Sequence, residues 1–152
     1  MGATKVRLKK DLIDALRAKD ESAKSNIRML LGAITVEEVA GAVARELSDD
    51  EELTVISKEM RKRRDSAETY AEAGRPELAD KESSEAEFIA RYLPTPLTHA
   101  ELSAMVDAAL AELAEPATMK QMGPLVKVVS ARAEGRAEGK EIAALVRARL
   151  QS

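Results

Sequence analysis

Apolar residues recur along this chain at spacings of three and four, the period of a helix with one buried side, and never alternate over the length of a strand. The pattern predicts seven helices. The first, over about 4–18, carries Val6, Ile13 and Leu16 on one side and Lys5, Lys9 and Lys10 on the other. Asp20 is placed to cap the second, whose apolar side is Ala23, Ile27, Leu30, Leu31 and Ile34. That helix fades near Ala40-Gly41, and 41–47 reads as a loop. Ser48-Asp49-Asp50-Glu51 has the form of a capping box, in which serine and glutamate each satisfy an amide of the other's turn. It opens a long third helix with Leu53, Ile56, Met60, Ala67 and Tyr70 inward. Gly74 falls where a left-handed C-terminal cap belongs, and Pro76 where a fourth helix begins, carrying Leu78, Ala86, Ile89 and Leu93.

Leu93-Pro94-Thr95-Pro96 stops that helix, because proline has no amide donor and forces its predecessor out of helical geometry. The reading is a helical domain over 1–93, a proline-containing elbow over 94–98 and a three-helix domain over 99–152. Thr98-His99-Ala100-Glu101 is a second capping box, opening a helix through Leu102, Val106, Ala109, Leu110 and Leu113. A sixth helix begins near Met119, tolerates Pro124 only in its first turn, and runs to about Ala133. Gly135 to Gly139 form a turn, and the last helix, about 140–150, turns Ile142, Leu145, Val146 and Leu150 inward. The fold class is all-α, four helices followed by a small three-helix bundle whose core is modest enough to lean on the first part or on a partner.

Composition agrees: 27 alanines and 16 leucines are strong helix formers. The chain has no cysteine, which removes disulfides, thiolate metal sites and cysteine nucleophiles, and its single histidine, His99, removes designs that need two imidazoles. Phe88, Tyr70 and Tyr92 are the only aromatics, too few for a stacking-based reader of single strands. The longest uncharged stretch is nine residues, 92–100, so neither a membrane span nor a signal-peptide core is expected, and the chain reads as soluble and cytoplasmic.

The chemistry is sparse. Lys58 to Ser66 is the densest charge run and reads as a solvated helix face with Glu59/Arg63 and Arg61/Asp65 pairs, while Arg63 and Arg64 are placed to reach Glu82, Glu85 and Glu87 of the fourth helix. Those carboxylates lack the Glu-x-x-His partners of a dinuclear metal bundle. No phosphate-binding loop, dinucleotide fingerprint or Ser/His/Asp set is present, so no catalytic residue, metal or cofactor is expected. The formal charge of −3 is uneven: residues 116–152 hold seven basic and three acidic side chains. Around the last two helices, Lys120, Lys127, Arg136, Lys140 and Arg147 form the candidate set for nucleic-acid phosphates, with Arg132 and Arg149 beside them. The alternative is a protein–protein adaptor, which would show an exposed apolar patch around Leu125, Val128 and Val129.

The order of motifs carries a resemblance. Ile27-Arg28-Met29-Leu30-Leu31 is followed by Lys58, then Arg63-Arg64-Asp65-Ser66. Ala73-Gly74-Arg75 comes next with Leu78, Glu82 and Glu85, then Tyr92-Leu93-Pro94. Met119-Lys120-Gln121-Met122-Gly123 and Gly135-Arg136-Ala137-Glu138-Gly139-Lys140 complete the set. Together they resemble the GatB/YqeY-like family of small bacterial helical proteins. The resemblance implies a tail similar to the C-terminal domain of the B subunit of tRNA-dependent amidotransferases, which engages tRNA. It also implies, as partners, tRNA or another structured RNA, or for an adaptor an amidotransferase or an aminoacyl-tRNA synthetase. A family label of carbon–nitrogen ligase with glutamine as amido donor would follow from it. The amidase and nucleotide-dependent machinery of those enzymes has no counterpart among the residues of this chain.

Overall fold

Three of the helices begin where the preceding residue supplies a side-chain acceptor for their first amides. The structure, a computed structural model, describes residues 1–152 as α1 (Ala3–Ala18), α2 (Glu21–Glu38), α3 (Asp49–Glu72), α4 (Pro76–Ala90), α5 (His99–Ala111), a 3₁₀ turn (Met119–Gln121), α6 (Met122–Ala133) and α7 (Gly139–Gln151). There is no strand, and the fold is all-α. Asp20 caps α2 by accepting from the Ala23 amide, Ser48 caps α3, and Thr98 with Glu101 forms the complete capping box of α5. Gly74 takes φ 73°, the left-handed geometry that ends α3, and Pro76 opens α4. Pro124 is tolerated because it lies in the first turn of α6, directly after the 3₁₀ turn.

The chain divides into two compact units, Met1–Leu93 and Pro94–Ser152. In the first, α1 to α4 enclose Leu8, Ile27, Leu30, Ile34, Ile56 and Ile89, all but sealed from solvent. In the second, α5 to α7 enclose Leu102, Val106, Val129, Ile142 and Val146. Segment 94–98 belongs to the second unit: Leu97 is in its core, and the Leu97 amide donates to the Arg136 carbonyl at 2.8 Å.

The buried side of α1 differs from the expectation. Leu8 and Ala15 face the core, while Val6, Ile13 and Leu16 are about half exposed, at 53%, 50% and 47%. Both stripes have helical period, and the sequence pattern does not rank them. What fixes the face is the first turn of α1. There Glu52 of α3, with no exposed surface, accepts from the amides of Gly2 and Lys5, each at 3.0 Å. Asp49 accepts from the Ala3 amide at 2.7 Å, so three of the helix's opening amides are satisfied by α3. Lys5, expected in solvent, instead sends its Nζ to Glu38 at the end of α2, at 2.8 and 2.9 Å. Gly2 is needed for space: a Cβ there would overlap the Glu52 carboxylate.

Two further polar contacts tie helices of this unit together. The Tyr92 hydroxyl donates to Asp11 at 2.6 Å, under the Arg7 guanidinium, which lies 4.6 Å from the Tyr92 ring centroid. Burial, reinforced by the bond to Asp11, pushes the Tyr92 hydroxyl well above the ordinary phenol range. Between α3 and α4, Arg63 is surrounded by Glu59 at 3.4 Å, Glu85 at 3.3 Å and Glu82 at 3.8 Å, all largely buried. Glu82 Oε2 is buried and accepts no hydrogen bond. Arg63 therefore reaches α4 as the sequence suggests, whereas Arg64 is exposed.

These contacts set the expected effects of five substitutions. Glu52→Ala leaves two amides unpaired in a dry site, at about 1–3 kcal/mol each, whereas Asp49→Ala, on an exposed amide, costs about 0.5–1 kcal/mol; urea denaturation separates the two. Tyr92 keeps its proton longer in the folded chain than in the unfolded one, so its stabilisation is full below about pH 10 and is lost as pH rises beyond it. Tyr92→Phe should cost about 1.5 kcal/mol at neutral pH and flatten that alkaline loss in a pH series of melts. Arg63→Met strands the Glu82 and Glu85 carboxylates, Glu59 keeping Lys62 at 3.4 Å, and should destabilise by about 1–3 kcal/mol, more at low salt, while Glu82→Gln should be neutral or stabilising; melts at two ionic strengths test both.

Candidate functional site

The residues proposed from sequence to meet phosphate all lie in the second unit, and the structure divides them. Arg136, in the turn between α6 and α7, is only partly exposed, because it closes that turn onto segment 94–98. Its Nε donates to the Thr95 carbonyl at 2.8 Å, its carbonyl accepts from the Leu97 amide at 2.8 Å, and Nη2 lies 3.7 Å from Glu101. Arg132 pairs with Glu112, and Arg149 donates to Asp107 at 2.9 Å. Three of the unit's seven cations are thus taken up by acids on α5 and just past its end.

Lys120, Lys127, Lys140 and Arg147 are exposed. Lys127 lies on the solvent side of α6, whose inner side is Leu125, Val129 and Ala133. Lys140 stands in the first turn of α7, and Arg147, seven residues on, shares its side. Helices α6 and α7 pack on each other, and the 3₁₀ turn carrying Lys120 packs on both, so the four cations belong to adjoining elements. Glu134 and Glu141 are exposed among them. The result is a set of separate cations, not a continuous positive face, on a unit with seven basic and seven acidic side chains.

Sequence reasoning missed this internal balance, although residues 94–115 hold four acids and no base. The basic tail and the acidic stretch before it are partners within one bundle. The apolar patch that would mark an adaptor is also reduced. Leu125 and Val129 are core residues at 3% and 0% exposure, leaving Val128 at 38% and Met119 at 46%. His99 opens α5 and is exposed. In the first unit, the acids of α4 converge on Arg63, and no group of three or more potential ligands is placed to hold a metal ion.

Known proteins resemble this chain over most of its length. The protein of Lachancea thermotolerans named "Altered inheritance of mitochondria protein 41, mitochondrial" is 35% identical over 128 residues, covering 83% of this chain and 68% of its own. Proteins of the same name from Eremothecium gossypii and Clavispora lusitaniae are each 36% identical, over 108 and 92 residues. The aligned stretches cover 70% and 60% of this chain, and 58% and 52% of those two relatives' own lengths. The expectation of a cytoplasmic protein is overturned by these names, which are mitochondrial, and the relatives are fungal where bacterial ones were expected. The physical reason is that a folded helical domain has the same composition in either compartment. What the structure does say is that no helix is long and apolar enough to cross a membrane. The profile of the family described as "Yqey-like protein" matches residues 5–150, and this chain belongs to that family.

Proposed function

We propose that this protein is an RNA-binding module whose second unit contacts the phosphates of tRNA or another structured RNA, without catalysis of its own. The observation that carries the reading is the group of exposed cations on adjoining elements, Lys120, Lys127, Lys140 and Arg147, left over once the acids around α5 have engaged Arg132, Arg136 and Arg149. Lys140 sits in the first turn of a helix, where unpaired amides add to the attraction for phosphate oxygens. Resemblance to the amidotransferase tail supports the same direction. With no aromatic residue in the second unit, recognition would follow shape and backbone and not base stacking. The adaptor reading, docking on an amidotransferase or a synthetase, has less behind it, since Leu125 and Val129 face inward.

The test is a salt-titrated binding assay of the full chain against total tRNA. The affinity should fall by about 0.7–0.9 log units per log unit of salt for each phosphate neutralised. Lys127→Glu with Lys140→Glu should weaken binding and reduce that slope. Arg136 is unsuited to this test, because reversing its charge would also release Thr95. Absence of binding at low salt, or binding that ignores salt and both reversals, would overturn the reading.

A further inference from the structure

The first unit has a surface that takes no part in the RNA reading. Helix α1 carries two apolar stripes, and only Leu8 and Ala15 enter the core. The second stripe, Val6, Ile13 and Leu16, is about half exposed. At about 100° per residue these three fall within roughly 80° of the helix circumference, turned away from Leu8, along about 15 Å of its length. Exposed apolar side chains scattered singly are ordinary on a protein surface. Three in one line on one helix form a seam.

The spacing of that seam is that of a coiled coil. With Val6 at position a of a heptad, Ile13 is the next a and Leu16 the following d. Lys9 takes the first d, and Lys10 and Arg17 both fall at e. β-Branched residues at a with leucine at d suit pairing with one helix, and e is where a coiled coil selects its partner by charge. A lysine within the seam costs stability but sets register, and its stem can cover apolar surface while the ammonium reaches outward.

Charge defines the partner. Lys9, Lys10 and Arg17 are exposed and engage no acid of this chain, and Asp14 is the one acid of α1 beside them. A second copy is a poor occupant. Antiparallel pairing would bring the cations at e against each other, and parallel pairing would set Lys9 on Lys9. A lipid surface attracts cations too, but an interfacial helix buries a broad apolar face. Here the apolar arc is as narrow as a coiled-coil seam, and beyond Leu16 the helix turns into the core. What fits is a helix with an apolar seam of its own and carboxylates along its flank.

We propose that the outer face of α1 docks one acidic amphipathic helix of another protein, with apolar residues against Val6, Ile13 and Leu16 and carboxylates against Lys9, Lys10 and Arg17. The test uses the full chain and two synthetic three-heptad peptides with isoleucine at a and leucine at d. One carries glutamate at every e and g, the other lysine. Titration calorimetry and amide NMR shifts read binding, and melting temperature checks the fold. The acidic peptide should shift amides of α1 and bind at least about tenfold more tightly than the basic one. Lys10→Glu with Arg17→Glu should reverse that preference, and Ile13→Gln should weaken the acidic peptide about tenfold, all at an unchanged melting temperature. Lys127→Glu with Lys140→Glu, in the other unit, should leave binding intact, which separates this seam from the RNA reading. No binding of the acidic peptide, a preference that survives the α1 reversal, or binding lost with the reversal in the other unit would overturn the proposal. So would self-association of the chain that Ile13→Gln abolishes, or displacement of the acidic peptide by phosphatidylserine-containing vesicles.

Discussion

Glu52 holds its carboxylate out of water against the first turn of α1, and the arrangement of the first unit depends on that contact. A helix presents unpaired amides and a partial positive charge at its start, so a buried carboxylate there is compensated by two backbone bonds. The contact sets where α1 begins along α3, and through Lys5 it extends to α2, because the residue whose amide reaches Glu52 also sends its ammonium to Glu38. Position 2 has to be small for the carboxylate to approach, and the neighbouring Asp49 takes the next amide. With the start of α1 anchored, Leu8 and Ala15 face inward, and Asp11 meets the Tyr92 hydroxyl that closes the unit near the end of α4.

The second unit is organised by a different balance. It carries equal numbers of acids and bases, and three arginines from α6, the following turn and α7 return to acids on or beside α5. Each such exposed pair contributes little stability by itself. Their larger effect is on the surface, because they select which cations stay outward. The four that do are available to a polyanion without an overall positive charge on the unit.

Features governed by neighbours in the chain were legible in the sequence. The caps at Asp20, Ser48 and Thr98, the left-handed Gly74, the starts at Pro76 and after Met119, and the inner stripes of α2 and α7 all follow from local rules. What was not legible depends on residues far apart. Val6, Ile13 and Leu16 have the same period as Leu8 and Ala15, and only a contact some fifty residues away distinguishes them. Glu52 reads as one more acid of a first turn that holds four, with nothing in its spacing to mark it as the buried one. At the candidate site, exposure of Lys120, Lys127, Lys140 and Arg147 agrees with their place on polar helix faces. The commitment of Arg136 to Thr95 spans forty-one residues and has no local signal.

That commitment bears on how variation in this family is to be read. An arginine in a basic turn invites interpretation as a ligand contact, and strict retention at position 136 would strengthen the impression. Yet the side chain fastens the turn to an intrachain carbonyl, so selection for folding alone would keep it. Positions 127, 140 and 147 carry no such internal obligation. Their drift or persistence among related sequences is therefore the more direct record of whether a polyanion has been shaping this surface.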